Sequence, residues 1–456
     1  MKFGTRLIVA VLAAVVLGGA AVGVAAKKKK KGDPTDKTVN VKSQLKPGPV
    51  RNVILFIGDG MDETAVTAGR NYHLGANGRL MMDRLKLAGS VTTYAMNELM
   101  GSKKPFYVTD SAASGTAWAT GQKTGLFRIS SEAFTDKPLT TIAELAQRRG
   151  YRTGNVSTDS VTGATPAVQM AHVRMRNCQA PGDGVCLTDA KSEGGLGSIA
   201  EQAADSKMDL ILGGGRGDFE GTIPAGPDTG KTVIESAQRQ GFDVIGTKAE
   251  LDSYSGKKRL LGLFADGTIT PEWNGQPAMR EGFVAQRCET GKRPAEQPSL
   301  TNMTKRAISF LNKRSKGKKK GFFLQVEGAG IDKGAHAANP CRQIGELVAF
   351  DAAVKAGIQF AKKSPKTLVI VTADHGQSGQ ILPGPGADKS AILITNEGER
   401  MVMGYATAKN DSSQEHAGIT VPVRSFGPRA ANLMGLKNQT DIFDVIVDAL
   451  KIRAKK

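Results

Sequence analysis

Acidic residues follow three apolar segments of the chain, each typical of a buried strand. The segments are 53–57, which precedes Asp59; 322–326, which precedes Glu327; and 368–371, which precedes Asp374 and His375. In an open α/β sheet, ligands bind in the crevice beyond the carboxyl ends of the strands. The sequence therefore predicts that these side chains converge and form a site for more than one metal ion.

Three of the five histidines stand near an acidic residue at a spacing suited to metal binding. The pairs are Asp332 with His336, Asp374 with His375, and Glu415 with His416. Residues four apart share one face of a helix, so we expect Asp332 and His336 to hold one ion together. Imidazole with carboxylate suits zinc, whereas oxygen ligands alone suit magnesium. One such histidine alone would favour a structural role, but the combination with three carboxylates favours metal.

Ser111, in the run Thr-Asp-Ser-Ala-Ala-Ser-Gly at 109–115, is the candidate nucleophile. Small residues follow it, so it is predicted to begin a helix whose positive end favours an alkoxide and a bound anion. The alternative is that Ser111 only caps the helix. No Gly-x-Ser-x-Gly motif surrounds it, so its activation would have to come from a metal.

Strand-like and helix-like segments alternate along the rest of the chain, which predicts an α/β fold with a large, mainly parallel sheet between two helical layers. Further strands are predicted at 154–158, 209–212 and 401–405, and helices at 140–149, 197–204, 300–314 and 345–363. The segment 224–298 is rich in Gly, Pro and charge and is interpreted as a peripheral insertion. Residues 50–456 are thus predicted to form one domain.

The first 26 residues contain Lys2 and Arg6, then an apolar stretch that ends in small residues, as in a secretory signal peptide. An uncleaved membrane anchor is the alternative. A basic polar linker at 27–49 follows. The net charge of +19 favours association with an anionic cell envelope, but sparse aromatics and the absence of a recognition motif argue against specific nucleic-acid binding.

The four cysteines are predicted to form two disulfides, because an even number in an exported protein favours disulfides over metal ligation. They are Cys178, Cys186, Cys288 and Cys341. Three pairings are possible. The predicted location is therefore periplasmic, extracellular or associated with the cell envelope.

The chain resembles the bacterial alkaline phosphatases of the Escherichia coli type from about Asn52 to its C-terminal segment. The matching motifs are Ile-Gly-Asp-Gly-Met (57–61), Val-Thr-Asp-Ser-Ala-Ala-Ser (108–114), Gly-Asn-Val-Ser-Thr (154–158), Ala-Thr-Pro (164–166), Gln-Val-Glu-Gly (325–328), Ile-Asp-Lys (331–333), Val-Thr-Ala-Asp-His (371–375) and Gln-Glu-His (414–416). The resemblance implies an alkaline phosphatase-like three-layer αβα fold, a homodimer and the hydrolysis of phosphate monoesters.

The resemblance also implies a site with two zinc ions and one magnesium ion. By motif position, the ligands of the first zinc are Asp332, His336 and His416; those of the second are Asp59, Asp374 and His375; and those of magnesium are Asp59, Thr165 and Glu327.

Ser111 would then form a phosphoserine, while Arg176, oriented by Asp110, would bind two phosphate oxygens. The implied disulfides pair Cys178 with Cys186 and Cys288 with Cys341.

The chain departs from the family at Gly163, where the Escherichia coli type carries an aspartate two residues before the magnesium-binding threonine. That aspartate approaches a lysine retained here as Lys333. Its loss predicts weaker magnesium retention, altered product release and a Lys333 freer to reach phosphate. Asp159 is a candidate to replace the missing carboxylate.

Two other functions stay open. A phosphodiesterase or sulfatase-like enzyme of the wider superfamily is the closest alternative, although the residues after Ser111 lack the sulfatase motif. A noncatalytic envelope protein that sequesters phosphate or zinc is the second.

Overall fold

The computed structural model describes residues 37–386, 388–408 and 413–453. The predicted leader at 1–26 and the basic run from Lys27 to Lys31 lie outside these residues.

The strands are β1 (Asn52–Gly58), β2 (Leu87–Thr92), β3 (Ala95–Met96), β4 (Pro105–Phe106), β5 (Arg152–Ser160), β6 (Leu210–Gly214), β7 (Phe242–Ile245), β8 (Arg259–Leu263), β9 (Trp273–Asn274), β10 (Ala285–Gln286), β11 (Glu289–Thr290), β12 (Phe322–Gly328), β13 (Thr367–Ala373), β14 (Gln380–Leu382), β15 (Lys389–Ile394), β16 (Arg400–Tyr405), β17 (Val421–Phe426) and β18 (Gly435–Asn438).

The helices are α1 (Thr38–Lys42), α2 (Glu63–Leu74), α3 (Ser111–Thr120), α4 (Ile142–Arg148), α5 (Ala164–Ala167), α6 (Ile199–Asp205), α7 (Arg216–Phe219), α8 (Val233–Arg239), α9 (Lys248–Ser253), α10 (Leu300–Ser315), α11 (Gly330–His336), α12 (Pro340–Lys363) and α13 (Gln439–Leu450). Short 3-10 turns lie between some of them. Within the described ranges, none of the helices combines the length and apolar character needed to cross a bilayer.

A ten-stranded sheet forms the centre of the molecule, in the order β18-β2-β17-β13-β1-β12-β5-β6-β8-β7. Among these strands only β17 runs antiparallel to its neighbours. The central strands β1, β12 and β13 are buried along their whole length, which explains why they consist of continuous apolar runs rather than alternating ones. The predicted mainly parallel sheet is confirmed.

Helices cover both faces of this sheet. On one face α2 and α10 pack against α12, which also contacts β1. On the other face α3 and α4 pack against α13, which contacts β1 from the opposite side. The molecule therefore has the predicted three layers of helices, sheet and helices.

The register of the central strands aligns the acidic residues that follow them. Gly58 of β1 lies opposite Gly328 of β12 and Ala373 of β13. Asp59 and Asp374 thus leave adjacent strands at the same level, and Glu327 lies opposite Ile57, one step before the end. Parallel pairing alone brings the three carboxylates to one edge of the sheet.

Two predicted segments differ in their placement from the expectation. The strand at 401–405 belongs to a separate four-stranded sheet, because β15 and β16 pair as an antiparallel hairpin whose turn is closed by Thr395 and Glu399. Within the segment 224–298, which was interpreted as a peripheral insertion, β7 and β8 extend the edge of the central sheet. The strands β7 and β8 are only four and five residues long, so they gave a weak signal for a sheet.

Both disulfides have the pairing that the family resemblance implied. Cys178 joins Cys186 across 8 residues of sequence, and Cys288 joins Cys341 across 53. The second bond ties the segment after β10 to the first turn of α12. It therefore attaches the region beside the small sheet to a helix of the main body.

We predict that the Cys288–Cys341 bond contributes more stability than the Cys178–Cys186 bond, because it closes a longer loop in the unfolded chain. Chain entropy gives about 4 kcal/mol for a loop of 53 residues and about 2.5 kcal/mol for one of 8. The double variants Cys288→Ala/Cys341→Ala and Cys178→Ala/Cys186→Ala serve as controls for each other in denaturant unfolding. An equal or reversed order would contradict the prediction.

Candidate metal centre and active site

The first group of metal-binding side chains comprises Asp332, His336 and His416. Asp332 and His336 lie one turn apart in α11, and His336 Nε2 is 3.2 Å from Asp332 Oδ2. His416 Nε2 lies 3.5 Å from Asp332 Oδ1 and 3.0 Å from His336 Nε2. Three candidate ligand atoms therefore face one point.

The second group comprises Asp59, Asp374 and His375, all buried. His375 Nε2 lies 3.4 Å from Asp59 Oδ1 and 3.1 Å from Asp374 Oδ2. Asp374 Oδ1 is occupied, because it accepts the Gly60 N–H at 2.8 Å. The rings of His375 and His416 stack with their centroids 3.5 Å apart, so the two groups are neighbours.

Backbone carbonyls fix the orientation of all three imidazoles. Nδ1 of His416 lies 2.9 Å from Thr109 O, Nδ1 of His375 lies 3.2 Å from Gly376 O, and Nδ1 of His336 faces Gln414 O. A carbonyl accepts a hydrogen bond, so each ring carries a proton on Nδ1 and turns Nε2 into the site. This arrangement is typical of histidines that bind metal ions.

Three buried oxygens among the predicted ligands lack a hydrogen bond, namely Asp59 Oδ1, Asp374 Oδ2 and Thr165 Oγ1. A buried carboxylate without a partner is costly. Burial, and then the charges of Asp374, Asp332 and Glu327, raise the pKa of Asp59 well above its usual range. Cations at this point would satisfy these oxygens and offset the repulsion, so the residues fit the implied metals.

Opposing effects act on the other members of the two groups. Burial alone would raise the pKa of Asp332, but the hydrogen bond and charge of His336 hold it well below its usual range. Burial opposes protonation of His375, yet the charge of Asp374 raises its pKa to about 9. Burial, followed by the charge of His375, lowers the pKa of His416 to about 4. Neighbouring imidazoles compete for one positive charge, as in a site that uses neutral rings as ligands.

The predicted magnesium ligands lie next to the second group. Glu327 at the end of β12 faces Ser157 of the neighbouring strand β5, whose hydroxyl donates to Glu327 Oε2. Burial and then the charge of Asp159 raise the pKa of Glu327 to about 8. Thr165 is the second residue of α5 and is buried beside Glu327. Oxygen donors alone meet here, as magnesium prefers.

Ser111 is the first residue of α3 and is buried, with its Oγ 3.2 Å from His375 Nε2. The helix cap is Asp110 rather than Ser111, because Asp110 Oδ1 accepts the Ala113 N–H at 3.0 Å. Asp110 Oδ2 accepts from Arg176 Nη1 at 3.2 Å. The Ser111 hydroxyl is thus not used as a cap and lies between the second metal group and the positive end of the helix.

Comparison with known proteins agrees with this geometry. The family model for alkaline phosphatase matches residues 50–413. The chain belongs to the alkaline phosphatase family. It is 46% identical over 415 residues to streptomycin-6-phosphate phosphatase of Streptomyces griseus (89% of this chain, 92% of the relative) and 44% identical over 432 residues to alkaline phosphatase of Escherichia coli K12 (92% and 90%). Because members of this family hydrolyse phosphate monoesters, this protein is a phosphomonoester hydrolase.

A solved structure supports the same assignment. The alkaline phosphatase of the Antarctic bacterium TAB5 superposes with a TM-score of 0.66 at 25% identity, covering 89% of this chain and all of that one. A variant of the TAB5 enzyme has magnesium bound.

Lys333 has a carboxylate partner in the structure. This differs from the expectation that glycine at position 163 leaves Lys333 freer to reach phosphate. Its Nζ lies 3.1 Å from Asp159 Oδ2. Asp159 Oδ1 accepts the Ser160 N–H at 2.8 Å, which holds the carboxylate in place. A Cβ on Gly163 would fall 2.7 Å from Asp159 Oδ2. Asp159 therefore fills the space that a larger residue at position 163 would need.

Phe127 joins Asp110 to Arg176 and was not found from the sequence. Its backbone has φ = 71°, in the left-handed region that few residues other than glycine adopt. In this conformation its N–H donates to Asp110 Oδ2 at 3.2 Å and its carbonyl accepts the Arg176 N–H at 2.7 Å. No local sequence signal marks a phenylalanine with this backbone.

The roles of two further residues, Gln377 and Gln414, were not predicted, although Gln414 belongs to one of the matching motifs. Gln377 Nε2 donates to Asp332 Oδ1 at 2.7 Å, and the carbonyl of Gln414 contacts His336 Nδ1. Both stand within two residues of a predicted ligand, His375 or His416. Beyond that motif, this proximity is the only signal in the sequence that could have found them.

A cleft of about 1430 Å³ opens from the site to solvent. Asp110, Arg176, Asp332, Lys333 and His336 line it. The same cleft is lined by Phe106, Val108, Leu126, Phe127, Arg342, Lys389, Thr407, Ser413 and Glu415, among others. The predicted phosphate-binding residues therefore share one large space with residues that have no predicted catalytic role.

We predict that Gly163→Asp destabilises the protein and that adding Asp159→Ala to this variant restores part of the lost stability. The single substitution forces two carboxylates together, whereas the double variant Asp159→Ala/Gly163→Asp leaves one carboxylate near Lys333. Asp159→Ala alone should cost about 1 kcal/mol by removing the partner of a half-buried lysine. Thermal unfolding of the metal-loaded protein measures all three, and a double variant less stable than Gly163→Asp would contradict the prediction.

We further predict that Phe127→Gly is more stable than Phe127→Ala by about 1 kcal/mol, because glycine adopts the left-handed backbone without a steric penalty. Both variants remove the ring, so their difference isolates the backbone. Denaturant unfolding provides the comparison. An alanine variant as stable as the glycine variant would show that the conformation at position 127 carries no strain.

Proposed function

We propose that this protein hydrolyses phosphate monoesters through a phosphoserine formed on Ser111, at a site for two zinc ions and one magnesium ion. The observation that carries the proposal is the position of Ser111 Oγ, 3.2 Å from Nε2 of His375 in the second metal group and at the first residue of α3. A hydroxyl placed there is available for attack on phosphorus.

The proposed metal ligands are the side chains of the two groups described above, together with Thr165 and Glu327. Asp332, His336 and His416 would hold one zinc, and Asp59, Asp374 and His375 the other. Thr165 and Glu327, with Asp59, would hold magnesium. When bound, two zinc ions supply a lowered pKa for the nucleophile and a positive charge for the leaving oxygen.

The chain's own residues position the phosphate. Arg176 presents a planar guanidinium suited to two phosphate oxygens, and its contact with Asp110 fixes its direction. Ser111 Oγ forms a bond to phosphorus while the bond to the leaving oxygen breaks and that oxygen takes up a proton. Water then attacks phosphorus, releasing phosphate and returning the Ser111 hydroxyl.

Lys333 contributes a second cation near the phosphate. Burial opposes its charge, but Asp159 raises its pKa above the usual value, so it stays protonated. It lines the same cleft as Arg176. Asp159 thus keeps a half-buried lysine charged beside the position that the phosphate dianion would occupy.

Export and association with the cell envelope are part of the same proposal. The two disulfides support it, because such bonds persist in oxidising compartments. The net charge of +19 would favour contact with anionic polymers or lipids. We also propose that the protein is a homodimer, on the family resemblance alone. Sedimentation of the mature protein measures its oligomeric state.

A monoesterase dedicated to one small molecule is the second candidate, and the identity of 46% to streptomycin-6-phosphate phosphatase favours it. The two candidates differ in breadth. A general enzyme would hydrolyse p-nitrophenyl phosphate and streptomycin 6-phosphate with kcat/KM values within about tenfold of each other, and a dedicated one would not.

Ser111→Ala is expected to lower kcat/KM for p-nitrophenyl phosphate by at least about 10³-fold while zinc content stays unchanged, because only the nucleophile is removed. Ser114→Ala, three residues on in the same helix, is the matched control. Acid quenching followed by mass spectrometry should find phosphate on Ser111 of the unaltered enzyme.

Three results would contradict the proposal. The first is an active Ser111→Ala variant. The second is faster hydrolysis of bis(p-nitrophenyl) phosphate than of p-nitrophenyl phosphate, which would indicate a diesterase. The third is tight phosphate binding without turnover, which would indicate sequestration.

A further inference from the structure

Arg342 lines the same cleft as the first metal group. Several residues between Asp332 and Arg342 line it, with the predicted ligands Asp332 and His336 before Arg342 in the chain. Arg342 is the third residue of α12, whose cap is Asn339; the Asn339 Oδ1 accepts the Arg342 N–H at 3.0 Å. The position of this arginine is therefore set by the start of a 24-residue helix.

Close packing fixes α12 against α11. A Cβ on Gly334 would fall 2.4 Å from Gln343 N and 3.0 Å from the carbonyl carbon of Arg342. Only a glycine at 334 permits this approach. Arg342 is therefore held at a defined place relative to Asp332 and His336, which lie in the same helix as Gly334.

The guanidinium of Arg342 is poorly compensated. Its Nε is buried and has no hydrogen-bond partner, and among the described residues no carboxylate forms an ion pair with it. Glu346, one helical turn further along α12, interacts with this charge electrostatically but does not form an ion pair with it. The guanidinium therefore carries a positive charge with no ion-pair partner in the described part of the chain, in a residue that lines the cleft, and an anion bound there would compensate this charge.

The cleft has room for such an anion beyond the phosphate. Its volume of about 1430 Å³ exceeds that of a typical small-molecule pocket, and the wall near Phe106 and Leu126 is apolar. Lys389 also lines the cleft. Arg176, Lys333 and Arg342 line the same cleft, so the leaving group of a phosphate ester bound by Arg176 would share this space with Arg342.

We propose that Arg342 forms a second anion subsite, which binds a carboxylate or phosphate on the leaving group. The monoesters used best would then be those that carry a second anionic group. This inference rests on the proposed function, since it assumes that the phosphate to be hydrolysed is bound beside Ser111 and Arg176.

The test compares 3-phosphoglycerate with glycerol 3-phosphate, which differ by a carboxylate in place of a hydroxymethyl group. At fixed ionic strength and pH, Arg342→Gln should lower the ratio of their kcat/KM values about fivefold, mainly through a higher KM for 3-phosphoglycerate. Arg342→Lys should restore part of the ratio. Arg149→Gln is the control, because the Arg149 side chain bonds the Arg453 carbonyl at the surface and does not line the cleft.

The outcomes separate the subsite from the proposed function. Hydrolysis of glycerol 3-phosphate by the unaltered enzyme tests the function without the subsite, and its absence would overturn both. An unchanged ratio in Arg342→Gln, or an equal loss for both substrates, would overturn the subsite alone. Addition of 0.5 M NaCl should also reduce the ratio in the unaltered enzyme and leave it unchanged in Arg342→Gln, as expected for a charge contact.

Discussion

The central constraint on this structure is the repulsion between the carboxylates that parallel strand pairing brings to one edge of the sheet. Asp59, Glu327 and Asp374 come from three adjacent buried strands, and Asp332 lies close enough to add its charge. Such a cluster is unfavourable in a protein interior unless cations offset it. The same constraint that makes these residues costly for folding would favour their binding to cations, so stability and metal binding are expected to be linked.

Around this cluster, each element fixes one group that the chemistry needs. The strand ends supply oxygens, α11 supplies Asp332 and Lys333, and the start of α3 supplies Ser111. Backbone carbonyls orient the imidazoles, and the unusual backbone of Phe127 connects Asp110 to Arg176. Rigid placement of this kind lets a site act without rearrangement when the substrate binds.

Much of the site could be predicted because its residues follow strands or share a helical turn. Asp59 and Asp374 stand directly after apolar runs, and the spacing of Asp332 and His336 is one helical turn. The contact between Lys333 and Asp159 could not be predicted, since it depends on how the turn after β5 folds into the space beside Gly163. The strands β7 and β8 could not be placed in the sheet from the sequence, because both are short and their order beside β6 depends on pairing between distant segments.

The most direct test of the account is the metal content of the purified mature protein, measured by elemental analysis after chelation and again after incubation with zinc and magnesium. The account predicts about two zinc ions per chain, one zinc after Asp332→Asn, and a higher unfolding temperature on reloading. A protein that takes up no zinc, or whose stability does not change when zinc binds, would contradict the claim that the carboxylate cluster is built around cations.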